Sequence, residues 1–165
     1  MNVLVLYFSR SGNTAALARG VADGARSVAG VEAVLRTPDN VTREDFLAAG
    51  ALVAGSPVYF GGMAADLKSI FDRFVGLRKQ MEGKVGAAFA TSGDVSGGKE
   101  TTLLSILQAM LIFGMIVTGD PLDATGHYGV SCVGAPGDRD LENARKLGRR
   151  VAQVALKQAS GVPEG

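Results

Sequence analysis

The chain has 165 residues, 47% of them hydrophobic, with 23 glycines, no tryptophan and a mean hydropathy of +0.20. That is enough apolar material for one well-cored domain spanning residues 1–165. Seventeen basic and 16 acidic residues give a formal net charge of +1 without long runs of either sign, which excludes a nucleic-acid or acidic-lipid surface as the organising feature.

Strand-like and helix-like segments alternate along the chain. Residues 2–8 are an apolar, β-rich run, and residues 13–29 place Leu17, Val21, Ala25 and Val28 on one helical face. Gly30 stops that helix, and residues 31–36 read as the second strand. A turn at Pro38-Asp39-Asn40 precedes a short helix capped by Thr42 or Asn40. Residues 51–54 are the third strand, and a loop over residues 55–62 leads to a helix carrying Leu67, Ile70, Phe71, Phe74 and Val75. Residues 84–90 are the fourth strand, followed by a loop over 91–98 and a helix over about 100–113.

The window 101–119 has no charged residue, but Thr101, Thr102, Ser105, Gln108 and a breaking Gly114 argue against a membrane span. Met115-Ile116-Val117-Thr118 is then the fifth strand. The uncharged helix is either covered in the core or lies under a subunit interface, and a homo-oligomer, dimer or tetramer, is expected. A loop over 119–129, a short strand at 130–133 and a helix over about 138–159 follow, with residues 160–165 expected to be a frayed tail. The single cysteine, Cys132, excludes an internal disulfide framework and reads as a small buried hydrophobe. The apolar start lacks a basic n-region, so a cytoplasmic protein is expected.

Five βα units with almost continuously apolar strands predict an α/β protein, a three-layer, doubly wound, five-stranded parallel sheet in the order 2-1-3-4-5. A ligand then binds outside the carboxyl ends of the strands, between strands 1 and 3. Three glycine- and hydroxyl-rich loops converge there. The first, Ser9, Arg10, Ser11, Gly12, Asn13 and Thr14, offers free backbone N–H groups at the positive end of a helix dipole. Gly12 permits close approach, Asn13 or Thr14 caps the helix, and Arg10 is an optional cation, which together suit a phosphate. The second loop presents Pro57, Val58, Tyr59, Phe60 and Gly61, and the third Thr91, Ser92, Gly93, Asp94, Gly97 and Gly98. A receiver-type acidic pair, a P-loop run, a loop cysteine nucleophile and a Gly-x-Ser-x-Gly elbow are all missing, and no metal site is expected.

These residues carry a family resemblance. Tyr7-Phe8-Ser9-Arg10-Ser11-Gly12-Asn13-Thr14 resembles the phosphate-binding fingerprint of flavodoxin-like proteins, and Gly55-Ser56-Pro57-Val58-Tyr59-Phe60-Gly61-Gly62-Met63 resembles the isoalloxazine loop of WrbA-type NAD(P)H:quinone oxidoreductases. The likeness continues through Thr91-Ser92-Gly93, Gly97-Gly98, Phe113-Gly114-Met115 and Tyr128-Gly129. It implies non-covalent FMN, with phosphate on Ser9 to Thr14 and ring between the second and third loops. It also implies NAD(P)H as donor, a quinone or similar small acceptor, and ping-pong two-electron transfer; a flavodoxin-type electron carrier is the alternative. His127 and Tyr128 are the expected catalytic residues, with His127 donating a hydrogen bond to a quinone oxygen. Two departures touch the substrate side: Phe113 stands where many of those enzymes have histidine, and the segment 76–82 is short and lacks their tryptophan.

Overall fold

The computed structural model describes residues 1–161; residues 162–165, most of the expected tail, lie outside the described residues. The elements are β1 (Asn2–Tyr7), α1 (Asn13–Arg26), β2 (Glu32–Arg36), α2 (Arg43–Ala48), β3 (Ala49–Tyr59), β4 (Gly62–Met63), α3 (Ala65–Arg73), a 3₁₀ turn (Val75–Leu77), α4 (Arg78–Met81), β5 (Val85–Ser92), α5 (Lys99–Ile112), β6 (Ile116–Val117), β7 (Val130–Val133) and α6 (Asp138–Ser160). The parallel sheet runs β2-β1-β3-β5-β6, which is the expected doubly wound order.

Alternation along the strands explains why they read as unbroken apolar runs. Val3 and Val5 of β1 join Val53, Phe89, Leu17, Val21, Leu147 and Val151 in the core under α1 and α6. Leu4 and Leu6 join Leu52, Phe46, Leu67, Ile70 and Ile106 in the core on the other face. A strand sandwiched between two helix layers has no wet side. On the short helix α2, Thr42 is the cap: Asp45 N–H donates to its hydroxyl at 3.1 Å and Thr42 N–H to the Asp45 carboxylate at 2.9 Å. Asn40 instead accepts from Thr37 N–H at 2.8 Å.

Several boundaries differ from the sequence reading. β3 continues past residue 54 because Gly55, Ser56 and Pro57 stay in register with Phe89, Ala90 and Thr91. Val58 and Tyr59 then pair with Met63 and Gly62 of β4 through a two-residue turn in which Phe60 and Gly61 have φ of 50° and 76°. Positive φ at both central residues is the hairpin geometry that matches strand twist. The fifth position of the sheet is shared: β6 pairs with Val85–Gly86, whereas β7 pairs with Phe89–Ser92. Residues 118–129 bulge from the sheet between them. Helix α1 ends at Arg26, short of residue 29, Val75 lies exposed in the 3₁₀ turn, and Ser160 closes α6 as its last residue. The outer face of α5 is open, with Leu104, Leu111 and Ile112 exposed beside Thr101 and Gln108. No helix among the described residues is long and apolar enough to cross a membrane.

Helices α1 and α6 approach so closely that backbone meets backbone. A Cβ on Gly24 would sit 1.9 Å from the Arg145 carbonyl oxygen, and one on Gly148 would sit 1.9 Å from that of Val21. Either Gly24→Ala or Gly148→Ala therefore forces the helices apart. Each is expected to destabilise by about 1–3 kcal/mol. The double variant should lose less than the sum because both act on one interface. Urea unfolding of the three variants measures this.

Candidate functional site

The end of β1, the hairpin after β3 and the end of β5 meet at one edge of the sheet. There a cavity of about 330 Å³ is lined by Arg10, Ser11, Asn13, Pro57, Val58, Tyr59, Thr91, Ser92, Gly93 and Gly134. All three expected loops contribute to it. Gly134, which follows β7, was not legible as a site residue; its only sequence signal is a glycine after a short strand. Its N–H donates to the Ser92 carbonyl at 2.8 Å and closes the cavity on that side.

In the first loop, Gly12 in the left-handed region (φ 93°) is the residue before α1, and no side chain caps the helix. Ser9 substitutes in part: its hydroxyl oxygen accepts from Gly12 N–H and Ala15 N–H, each at 3.2 Å. With both acceptor positions engaged, the Ser9 proton is left to donate. The N–H groups of Arg10, Ser11, Asn13 and Thr14 have no acceptor among the described residues. A Cβ built on Gly12 or on Gly93 meets nothing within 4 Å, so both glycines border open space. Unpaired donors, the amino end of the 14-residue α1 and the exposed Arg10 give this edge the chemistry of a candidate anion site. Arg10 forms no ion pair among the described residues, and no acidic side chain lines the cavity.

Other expected residues serve the frame instead. Thr14 does not cap: its buried hydroxyl bonds that of Thr91 at 2.8 Å, tying the start of α1 to the end of β5. Buried Ser56 accepts from Ala64 N–H at 2.8 Å, while its own proton goes to the Pro57 carbonyl. In the third loop, the Ser92 hydroxyl donates to the Asp94 carbonyl and accepts Asp94 N–H. The Asp94 carboxylate accepts from Ser96 N–H and hydroxyl, each at 3.0 Å, and these bonds hold it below the usual carboxylate range. Gly97 and Gly98 bring the loop back onto the hairpin, where a Cβ on Gly98 would lie 2.9 Å from Gly61 Cα. Phe60 projects its ring fully into solvent from the turn and does not line the cavity.

His127 and Tyr128 lie outside this cavity, in a separate recess of about 240 Å³ lined also by Glu100, Leu103, Thr125, Gly129 and Ser131. The bulge that carries them is held by one carboxylate. Buried Asp120 accepts from Thr125 N–H (2.8 Å), Thr125 hydroxyl (2.6 Å), Gly126 N–H (3.0 Å) and His127 N–H (2.9 Å). Phe113 is far from both cavities, buried at the opposite end of α5 with its ring 5.8 Å from that of Phe71. Cys132 lies in the α1–α6 core, and burial, with the Asp140 charge adding to it, pushes its thiol up to about 11. It is a neutral core group at physiological pH.

A doubly wound α/β domain with a cavity of open N–H donors at the switch point, walled by an aromatic-bearing hairpin, defines a flavodoxin-like protein of the WrbA type. The model of the family described as NADPH-dependent FMN reductase matches residues 1–128, and the chain belongs to that family. It is 40% identical over 158 residues to a flavodoxin of Aquifex aeolicus, covering 92% of this chain and 85% of the relative. It is 36% identical, over an alignment 186 positions long with gaps counted, to an NAD(P)H dehydrogenase (quinone) of Archaeoglobus fulgidus, covering 94% of this chain and 97% of the relative. Among solved structures, a flavodoxin, WrbA-like protein from Agrobacterium tumefaciens superposes with a TM-score of 0.83 at 28% identity, over 95% of this chain and 98% of that one.

For Asp120, burial raises the pKa, but the Thr125, His127 and Gly126 bonds outweigh it and hold the carboxylate below its usual 3.8. A pKa depressed on folding gives stability that is complete above the unfolded value, near 4, and fades as pH falls through the folded value. Asp120→Asn is therefore expected to cost about 1.5–3 kcal/mol at pH 7. The gap to the parent should narrow as pH drops below about 4. Urea unfolding at pH 7 and in that acid range, with amide exchange at Thr125–His127, checks both parts.

Proposed function

We propose that the protein is an FMN-dependent oxidoreductase that takes two electrons from NAD(P)H and delivers them to a quinone or similar small acceptor. The observation that carries this reading is the first loop, where the residues bearing three of the unpaired N–H groups, Arg10, Ser11 and Asn13, line a cavity walled by Pro57, Val58 and Tyr59. Membership of a flavin reductase family and the quinone-dehydrogenase name of a 36% identical relative point the same way. The residues present fit FMN. Ser11, Asn13 and the Ser9 proton, with the loop N–H groups, hold its phosphate without a lysine. Tyr59 and the 91–93 segment wall its ring, and Phe60, Gly61, Asp94, Gly97 and Gly98 shape the two loops that flank it. Bound FMN supplies the two-electron chemistry; the chain orients it and admits the second substrate. His127 and Tyr128, in their separate recess, contact the NAD(P)H donor.

An electron carrier is the second reading, favoured by the 40% identical flavodoxin of Aquifex aeolicus. Charge argues against it: docking on basic redox partners by long-range steering needs a strong one-signed field, and a net charge of +1 provides none. A near-neutral surface leaves an anionic nicotinamide cofactor unrepelled. The lone, unpaired Cys132 suits a reducing compartment, and the assignment is cytoplasmic. The apo-protein is expected to quench FMN fluorescence at micromolar concentration. Ser11→Ala, on an exposed residue, should weaken FMN about tenfold without moving the unfolding midpoint. Anaerobic mixing of the loaded protein with NADH or NADPH should bleach the flavin, and benzoquinone should restore its colour. Bleaching by neither nucleotide would leave the carrier reading.

The proposal includes a homo-oligomer built on the uncharged outer face of α5, where Leu104, Leu111 and Ile112 are exposed. Sedimentation should show a dimer or tetramer, and Leu111→Glu with Ile112→Lys should dissociate it. A 17.0 kDa species alone at high concentration would reject the interface.

A further inference from the structure

We propose that the recess beside His127 binds the adenosine half of a nicotinamide dinucleotide, and that Glu100 makes NADH a better donor than NADPH. The proposal rests on the oxidoreductase reading above and assigns the donor's far end.

Size comes first. At about 240 Å³ the recess is smaller than a whole small-molecule site, which is typically ~300–1,000 Å³. It suits one part of a ligand whose remainder lies elsewhere. Position supplies the remainder: β7 has Ser131 in the recess, and three residues later Gly134 lines the cavity after β1, β3 and β5. Three residues of extended chain span about 10 Å, a separation that a dinucleotide bridges with its reactive ring at the cavity.

The lining chemistry then selects the guest. His127 and the half-exposed Tyr128 offer planar rings for a purine. Glu100 offers two carboxylate oxygens, which accept hydrogen bonds and cannot donate them. A ribose diol supplies two donors to such a group, whereas a ribose 2′-phosphate keeps only the 3′-hydroxyl donor and puts negative charge in place of the other. Glu100 forms no ion pair among the described residues, so no side-chain cation neutralises it. The wall is also preformed, because Asp120 fixes the backbone of Thr125, Gly126 and His127. Glu100 stands in the first turn of α5, where any acidic residue favours the helix dipole. That role alone would not discriminate between nucleotides.

His127 is the only histidine, so its imidazole proton resonances report on the recess without assignment of the remaining chain. The FMN-loaded protein would be titrated with AMP and with adenosine 2′,5′-bisphosphate. AMP should shift the His127 signals saturably, and the bisphosphate should bind about tenfold more weakly, since like charges would be juxtaposed. Glu100→Gln should bring the two ligands close together and Glu100→Lys should reverse their order, with the NADH to NADPH ratio of kcat/KM moving in the same directions. If AMP leaves His127 unmoved while NADH still bleaches the flavin, the recess is not the nucleotide site and the oxidoreductase reading survives. If AMP and the bisphosphate bind the parent protein equally, the role of Glu100 is overturned. If AMP binds with the expected preference but neither dinucleotide bleaches the flavin, the recess assignment is supported and the oxidoreductase reading fails.

Discussion

The hydrogen bond between the Thr14 and Thr91 hydroxyls, buried and 2.8 Å long, decides where the first loop sits relative to the rest of the site. Thr91 is the last β5 residue paired to β3, opposite Pro57, and it is also paired to Cys132 of β7. One side chain thus ties the amino end of α1 to the strand that the hairpin and β7 both use as their register. A hydroxyl pair is a directional link in a core otherwise held by non-directional apolar packing. Most N–H groups of the first loop have no internal partner, and something beneath it must hold it in place. Thr14 from below and Ser9 from within do so, which leaves the outward donors unspent.

The order of the sheet and the convergence of three loops were legible because they depend on patterns the chain displays openly: alternating elements, unbroken apolar strands, glycine and hydroxyl punctuation. What was not legible depends on pairing between distant segments. Residues 55–59 look like a loop, with a glycine, a serine and a proline in succession, yet they continue β3 because Phe89 of β5 lies against Gly55. A Cβ there would meet the ring at 2.1 Å. Glycine in this strand marks close approach rather than a turn. The threonine expected to cap α1 is likewise committed to a residue 77 positions away, which no local signal announces.

The position of Phe113 has a similar explanation. It stands where the WrbA resemblance would place a histidine, and that suggests a lost substrate contact. Within one chain it packs on Phe71 at the far end of α5 from the cavity. A helix of 14 residues is about 21 Å long, so no side chain at its end reaches the cavity near its start. The substitution therefore leaves the chain's own site unaltered.

The split fifth strand shows how the fold acquires a second recess without altering the first cavity. If β6 ran directly into β7, the sheet edge would be complete and the α5 flank would carry no recess. Residues 118–129 instead leave the sheet, and their ends meet so closely that a Cβ on Gly119 would lie 1.9 Å from the His127 carbonyl oxygen. An excursion of this kind has little apolar material of its own, and Leu122 is almost fully exposed. Its order has to come from polar bonds, and Asp120 supplies four of them. Burying a carboxylate is costly unless its acceptor positions are filled, and backbone N–H donors fill them best when the chain wraps around it. The lock and the loop therefore require each other: the carboxylate is tolerated because the loop closes on it, and the loop closes because the carboxylate is there.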